Sequence, residues 1–262
     1  MTLHVCAIET TPLTKFNGIN GNSLMKSCKK FGIDLWIIGQ GTEKFDLATK
    51  INIIQSHLKN LNGDDFILML DFRDTIIFET GENIMKKFLE INAKILFGAE
   101  IFCYPASCIA KHFQENGHKS RFLNSGACIA RVKDFRQFID DAIVLKQKLA
   151  NKNSYYMDLV KPSIDENGLL SMSGTYPGED DQLIYQLLYI TNEYDIKLDY
   201  ENKIFQNLQL MSKWDDEKTT YFDVTYDYKN KKVKNRLYNT YPSVFHTPGN
   251  KKGVLGQLFK ML

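Results

Sequence analysis

Apolar and polar positions in the first hundred residues follow two alternating periods. "LHVCAIE" (3–9), "IDLWIIG" (33–39), "DFILMLD" (65–71) and "KILFGAE" (94–100) are short, nearly continuous apolar runs, the pattern of strands covered on both faces. Between them, "NSLMKSCKKFG" (22–32), "KFDLATKINIIQSHLKNL" (44–61) and "ENIMKKFLEI" (82–91) carry apolar residues three and four apart, as amphipathic helices do. The βαβαβαβ order predicts a largely parallel sheet with right-handed crossovers.

The second half is more mixed. "CIARVKDFRQFIDDAIVLKQKLA" (128–150) starts as a strand and turns into a helix, and "EDDQLIYQLLYITNEY" (179–194) is a helix with acids in its first turn, where they suit the dipole. The stretch 151–178 shows little periodicity and reads as a long loop, a candidate lid or acceptor-recognition element. "TYFDVTYDY" (220–228) and "KVKNRLYNTY" (232–241) read as a hairpin, and the apolar tail 253–262 as a terminal helix. That tail packs on the core, meets a second copy as a homodimer contact, or touches a membrane surface. No repeat or linker interrupts the pattern, so residues 1–262 read as a single domain.

Composition narrows the classes. With 262 residues and 44% apolar content the chain can bury a sizeable core. Lys and Arg number 33 against 31 Asp and Glu, so no global field points to nucleic acid. The basic stretch "YKNKKVKNR" (228–236) reads as a solvated hairpin tip. Five cysteines without a CxxC spacing, mostly inside apolar runs, suit a reducing compartment. Neither a signal peptide nor an 18-residue apolar span stands out, so the expectation is a soluble intracellular protein. Phosphate loops, GxGxxG, HExxH and GxSxG are absent, and no histidine begins HxD or HxE.

The chemistry gathers at "LMLDFRD" (68–74). Asp71 ends the most apolar strand and Asp74 follows in the turn, at the rim where parallel sheets bind ligands. Two hard carboxylates suit Mn²⁺ or Mg²⁺, which would also bind a substrate's phosphates. The plainer reading is a turn cap paired with Arg73. Among the five histidines His246 differs, ending "SVF" just before the turn-rich, basic "TPGNKKG" (247–253); it is either a third ligand or structural. Asp180 and Asp181 open a helix, where acids usually cap, but a pair there could also hold sugar hydroxyls or act as a base.

These residues bring out a resemblance spread over most of the chain. "LMLDFRD", "ILFGAEIFCYP", "RFLNSGACIARV", "DDQLIYQLLYI", "IKLDYENKIFQNLQ" and "YNTYPSVFHTPGNKK" occur in the order found in the glycosyltransferase domain of the procollagen lysyl hydroxylase/glycosyltransferase family, which the chain resembles. The resemblance implies a single α/β domain of GT-A type (Rossmann-like) with a mostly parallel central sheet. It also implies a Mn²⁺-dependent transfer of glucose or galactose from a UDP-sugar to hydroxylysine or galactosyl-hydroxylysine of a collagen-like protein, or to a glycan.

By the same resemblance Asp71, Asp74 and His246 are the metal ligands, and Asp180 and Asp181 line the sugar site with a catalytic role. Lys252 and Gly249 belong to the phosphate-binding loop, Thr10 lies near the uridine, and Asn124 faces sugar or acceptor. Three departures stand out. Arg73 replaces an aromatic residue that stacks on uracil, Tyr104 replaces a tryptophan, and Thr-Pro follows His246 where Gly-Asn is usual. The hydroxylase portion is not expected in so short a chain, which points to a free-standing glycosyltransferase. A metal-dependent phosphohydrolase or nucleotidyltransferase, or a UDP-sugar-binding module without turnover, would use the same acids.

Overall fold

Buried apolar strands stack into a six-stranded sheet in the computed structural model, which describes residues 1–13, 19–43, 46–150, 154–191, 194–209, 223–249 and 252–262. In chain order the sheet contains β1 (Leu3–Ile8), β2 (Leu35–Ile38), β3 (Phe66–Asp71), β5 (Ile95–Glu100), β6 (Phe122–Arg131) and β7 (Ile196–Asp199). Their spatial order is β2-β1-β3-β6-β5-β7. β1 runs parallel to β2 and β3, and β5 parallel to β7; β6 lies antiparallel between β3 and β5. The sheet is thus mostly parallel, as expected, with one reversed strand that the βαβ reading did not foresee.

That strand also begins at Phe122, not at 128. The polar Asn124-Ser125-Gly126 triplet hides it in the sequence. The structure absorbs the triplet as an irregularity: Phe97 pairs with Cys128 while the next residue, Gly98, pairs with Asn124. A bulge of this kind bends the strand and re-aims its side chains.

Helices cover both faces. α1 (Ile19–Lys30) and α3 (Gly81–Ile91) lie on one side, α2 (Thr49–Leu58), α4 (Val132–Ala150) and α6 (Asp181–Ile190) on the other. α3 shows why the ends fall where they do. The Thr80 hydroxyl caps its start by accepting from the Asn83 N–H, and Asn92 takes the left-handed conformation that stops it. Phe97, Phe138 and Tyr185 pack ring against ring beneath the second layer.

Residues 154–178, the described part of that stretch (151–153 lie outside the described residues), are less loop-like than their composition suggests. Ser154 caps a short α5 (Tyr155–Val160), Ile164 bridges Leu170, and Val160 and Leu170 are fully buried. Two fixed apolar anchors override weak periodicity. The hairpin is shorter than expected, β9 (Val224–Asp227) against β10 (Lys232–Asn235); residues 210–222 lie outside the described set.

A second, three-stranded sheet is the element most hidden in the sequence. β4 (Thr75–Ile77) follows Asp74 at once, β8 is Phe205–Asn207 and β11 is Val244–His246. β11 sits in the middle, antiparallel to β4 and parallel to β8. The last helix (Lys252–Met261) buries Val254, Leu255 and Leu258 against Ile76, Phe78 and Phe245, so its apolar face packs on this sheet. Among the described residues no helix is long and apolar enough to cross a membrane.

Candidate active site and metal centre

Strand register explains how a histidine so far downstream reaches the acid pair. β4 is the direct continuation of the Asp71–Asp74 turn, and in its pairing with β11 His246 stands opposite Thr75. Thr247, 173 residues after Asp74, donates its hydroxyl to the Asp74 carbonyl at 3.2 Å, and its N–H donates to the same oxygen at 2.8 Å. Phe72, buried, anchors the turn from below, and Arg73 points out of it.

The result is a compact donor set. Single ligand atoms from Asp71, Asp74 and His246 lie within 4.8 Å of one another. His246 Nε2 is 3.5 Å from Asp74 Oδ1 and 3.8 Å from Asp71 Oδ2. Atoms each about 2.1 Å from one octahedral ion would sit about 3.0–4.2 Å apart, so these separations suit a small divalent cation. His246 is 3% exposed and its Nε2 has no hydrogen-bond partner among the described residues. A buried ring nitrogen without a hydrogen bond, facing two carboxylates, is the position a metal ligand takes. The residues therefore fit the ion. Burial disfavours charge on His246, but Asp74 and Asp71 outweigh it and raise the imidazole's affinity for a proton.

Lys50, near the start of α2, is a member that sequence reasoning missed. Its Nζ lies 2.8 Å from Asp71 Oδ1 and 3.6 Å from Asp181 Oδ2, with only 14% of the side chain exposed. Burial works against its charge, yet Asp181 and Asp71 hold the ammonium well above its ordinary range. Burial likewise pushes Asp71 up, and Lys50 and His246 more than offset it, so Asp71 stays ionised below the usual carboxylate range. Asp181 is raised, by burial first and by the Asp71 charge, with Lys50 opposing.

Asp180 is the other half of that acid pair and plays a different part. Its Oδ1 caps α6, accepting from the Leu183 N–H at 2.9 Å, while Oδ2 is buried, without a partner among the described residues, and borders the cavity. Burial and the neighbouring Asp181 push its carboxyl up to about 7.

A cavity of about 630 Å³ opens over these groups. Asp71, Asp74, Asp180, Asp181 and His246 line it together with Phe102, Tyr104 and Met172. Met172 comes from the 151–178 stretch, so that segment does reach the cavity. Gly249 borders it too, at φ +81°, a conformation that favours glycine. Lys252 begins the last helix, but its side chain lies outside the described residues.

A smaller cavity of about 260 Å³ adjoins the acids and is lined by Glu9, Thr10 and Arg73. Arg73 forms a two-pronged pair with Glu9, Nε to Oε2 at 2.7 Å and Nη2 to Oε1 at 2.8 Å, and Nη2 also donates to the Thr11 hydroxyl at 3.0 Å. Glu9 is buried, whereas 57% of the Arg73 side chain is exposed, so the guanidinium is pinned by its edge at the rim of this cavity.

Asn124, expected to face sugar or acceptor, lies at the cavity over the metal centre. It is 3% exposed and both ends of its amide are engaged by the protein, Oδ1 by His246 and Gly126, Nδ2 by Glu100 and Gln182.

A mostly parallel α/β sheet with acids gathered beyond its strand ends is a ligand-binding domain of the enzyme type. The family model of the PLOD GT domain matches residues 5–158 and 161–262, and the chain belongs to that glycosyltransferase family. It is 29% identical over 206 residues to the multifunctional procollagen lysine hydroxylase and glycosyltransferase LH3 of Homo sapiens, covering 76% of this chain and 23% of that protein. With the multifunctional procollagen lysine hydroxylase and glycosyltransferase of Caenorhabditis elegans it shares 26% identity over 255 residues, covering 90% and 29%. The chain thus spans about a quarter of the length of these relatives. A solved galactosyltransferase, LgtC, in complex with donor and acceptor sugar analogues, superimposes with a TM-score of 0.47 at 12% identity, over 95% of this chain and 88% of that one.

Proposed function

We propose that this chain transfers a hexose, glucose or galactose, from a UDP-sugar to a hydroxyl group, with hydroxylysine or galactosyl-hydroxylysine of a collagen-like protein as the acceptor. The observation that carries the reading is the buried, bare Nε2 of His246 facing Asp71 and Asp74. Those three residues would hold Mn²⁺, with Mg²⁺ the alternative. Such an ion supplies Lewis-acid neutralisation of the departing diphosphate.

The remaining roles belong to the protein's own groups. Lys50 keeps Asp71 and Asp181 ionised and in place while the site is empty of substrate. Thr10 and Arg73, which line the smaller cavity, receive the nucleobase, an arginine plane serving where the family has an aromatic ring. Gly249 lets the chain pass close to the phosphates, and by the resemblance Lys252 adds a positive charge to the same diphosphate. Tyr104 offers a ring to the sugar. In the reaction the bond from the anomeric carbon to the diphosphate oxygen breaks and a bond to the acceptor oxygen forms. The acceptor's proton passes to Asp180 or Asp181, both of which line the cavity.

The test is UDP release from UDP-glucose and UDP-galactose, with and without Mn²⁺, on hydroxylysine and galactosyl-hydroxylysine peptides. Asp71→Ala and His246→Ala should each lose metal-dependent turnover. Full turnover in both variants, or release of inorganic phosphate in place of UDP, would overturn the reading.

A further inference from the structure

Behind His246 lies a layer of buried amides whose orientation is fixed. His246 Nδ1 is 2.9 Å from Asn124 Oδ1 and 2.9 Å from Asn207 Oδ1. Asn124 Oδ1 also accepts from the Gly126 N–H at 3.0 Å, and its Nδ2 donates to Glu100 Oε2 at 2.9 Å and Gln182 Oε1 at 3.2 Å. Asn207 Nδ2 donates to the Ala99 carbonyl at 2.8 Å.

A backbone N–H can only donate and a carbonyl can only accept. Turning the Asn124 amide over would set its NH₂ against the Gly126 N–H and its oxygen against Gln182 Oε1, which the Ser125 N–H holds in place. Turning Asn207 over would set its oxygen against that of Ala99. Neither amide can reverse without burying an unmatched pair, a cost of about 1–3 kcal/mol for each group left unsatisfied. Two carbonyl oxygens therefore face Nδ1, and Nδ1 must carry the proton.

We propose that Asn124 and Asn207 are positioning residues that lock the His246 imidazole as its Nδ1–H form and present the Nε2 lone pair to a divalent cation, with Glu100 holding Asn124 in register. Glu100 suits that task. It is 1% exposed, Gln182 donates to its Oε1 at 2.7 Å, and Gln209 and Asn124 both donate to Oε2. The two asparagines come from β6 and β8, so a single ring N–H shared between them fixes the ring plane from two directions. Partners of this kind, one bond beyond the ligand, commonly change metal affinity about 10–100-fold.

The proposal rests on the cation reading above, and the experiments separate the two. In the metal-free full chain at pH 8.5, long-range ¹⁵N–¹H spectra of labelled histidine, assigned with His246→Gln, should show Nδ1 protonated and Nε2 bare. This measurement needs no buried variant to fold. Mn²⁺ titrations followed by the EPR signal of the free ion should show affinity about 10–100-fold weaker in the Asn124→Leu/Asn207→Leu double variant. Each single variant, with one acceptor left, should lose less. A wild-type ring protonated on Nε2 overturns the inference. So does a folded double variant with wild-type affinity when Asp71→Ala abolishes binding, and that outcome leaves the proposed function standing. A wild-type chain that binds no Mn²⁺ overturns both.

Discussion

Gly126→Ala adds one methyl group at the tightest point of the site. A Cβ there would fall 2.2 Å from His246 Cε1, 2.6 Å from Nε2 and 2.7 Å from Nδ1, where about 3.4–4 Å is ordinary contact. The ring has little room to yield, because Nδ1 is held by Asn124 and Asn207 and β11 is paired on both sides. Overpacking of this kind costs about 1–3 kcal/mol. Relief by swinging the imidazole aside converts the same energy into about 5–150-fold weaker cation binding, at about 1.4 kcal/mol per decade. Relief by backbone movement instead lowers the melting temperature by about 2–4 °C for each kcal/mol. Thermal melts and Mn²⁺ titrations read both routes. Gly256→Ala, in the last helix with nothing within 4 Å of its Cβ, is the control and should be neutral or slightly stabilising. A Gly126→Ala chain with wild-type melting temperature and wild-type Mn²⁺ affinity would refute the close-packing argument.

Three further outcomes follow from the charges. Lys50→Met leaves Asp71 and Asp181 without their cation and should destabilise the metal-free chain by about 3–5 kcal/mol, less with saturating Mn²⁺; equal losses in both conditions would show that Lys50 and the ion do not share Asp71. Asp180 titrates at about 7 when folded, through burial and Asp181, against about 3.9 unfolded, so the folded chain binds more protons in between. Its contribution therefore lowers stability as pH rises from about 4 to 7, by up to about 4 kcal/mol, and Asp180→Asn, which keeps the Oδ1 cap, should remove that decline; parallel curves for variant and wild type would contradict it. Arg73→Ala should weaken UDP binding by about 0.5–2 kcal/mol while leaving inorganic pyrophosphate binding unchanged, and an equal loss for both would assign Arg73 to shaping the metal turn.

The sequence carried more of this site than one motif. β1, β3 and β5 are apolar runs, and the chain reaches an acid at the carboxyl end of each: Glu9, Asp71 and Glu100. Parallel strands bring those ends to one rim, so the pattern that singled out Asp71 held for the other two as well, and reading it only once left Glu9 and Glu100 unnoticed. Lys50 gave no such signal, because a lysine in an amphipathic helix looks like any solvated one. Asn207 was hidden for another reason. Its strand is three residues long, and a period of two cannot be recognised over three positions. β4 and β11 share that brevity, which is why the partnership of His246 with the Asp71–Asp74 turn came from resemblance and not from periodicity.

The placement of β11 between β4 and β8 has a consequence for how the chain is made. Synthesis delivers the acidic turn first, then Asn124, then Asn207 and only afterwards the imidazole of His246, so a nascent chain that has not reached His246 holds two carboxylates with Lys50 as a near counter-charge. Cation capture must wait for contacts between segments far apart along the polypeptide, the slowest kind to form. A chain that stops short of β11 therefore lacks part of this donor set, and if the three residues hold an ion as proposed, its uptake would report that the small sheet has closed.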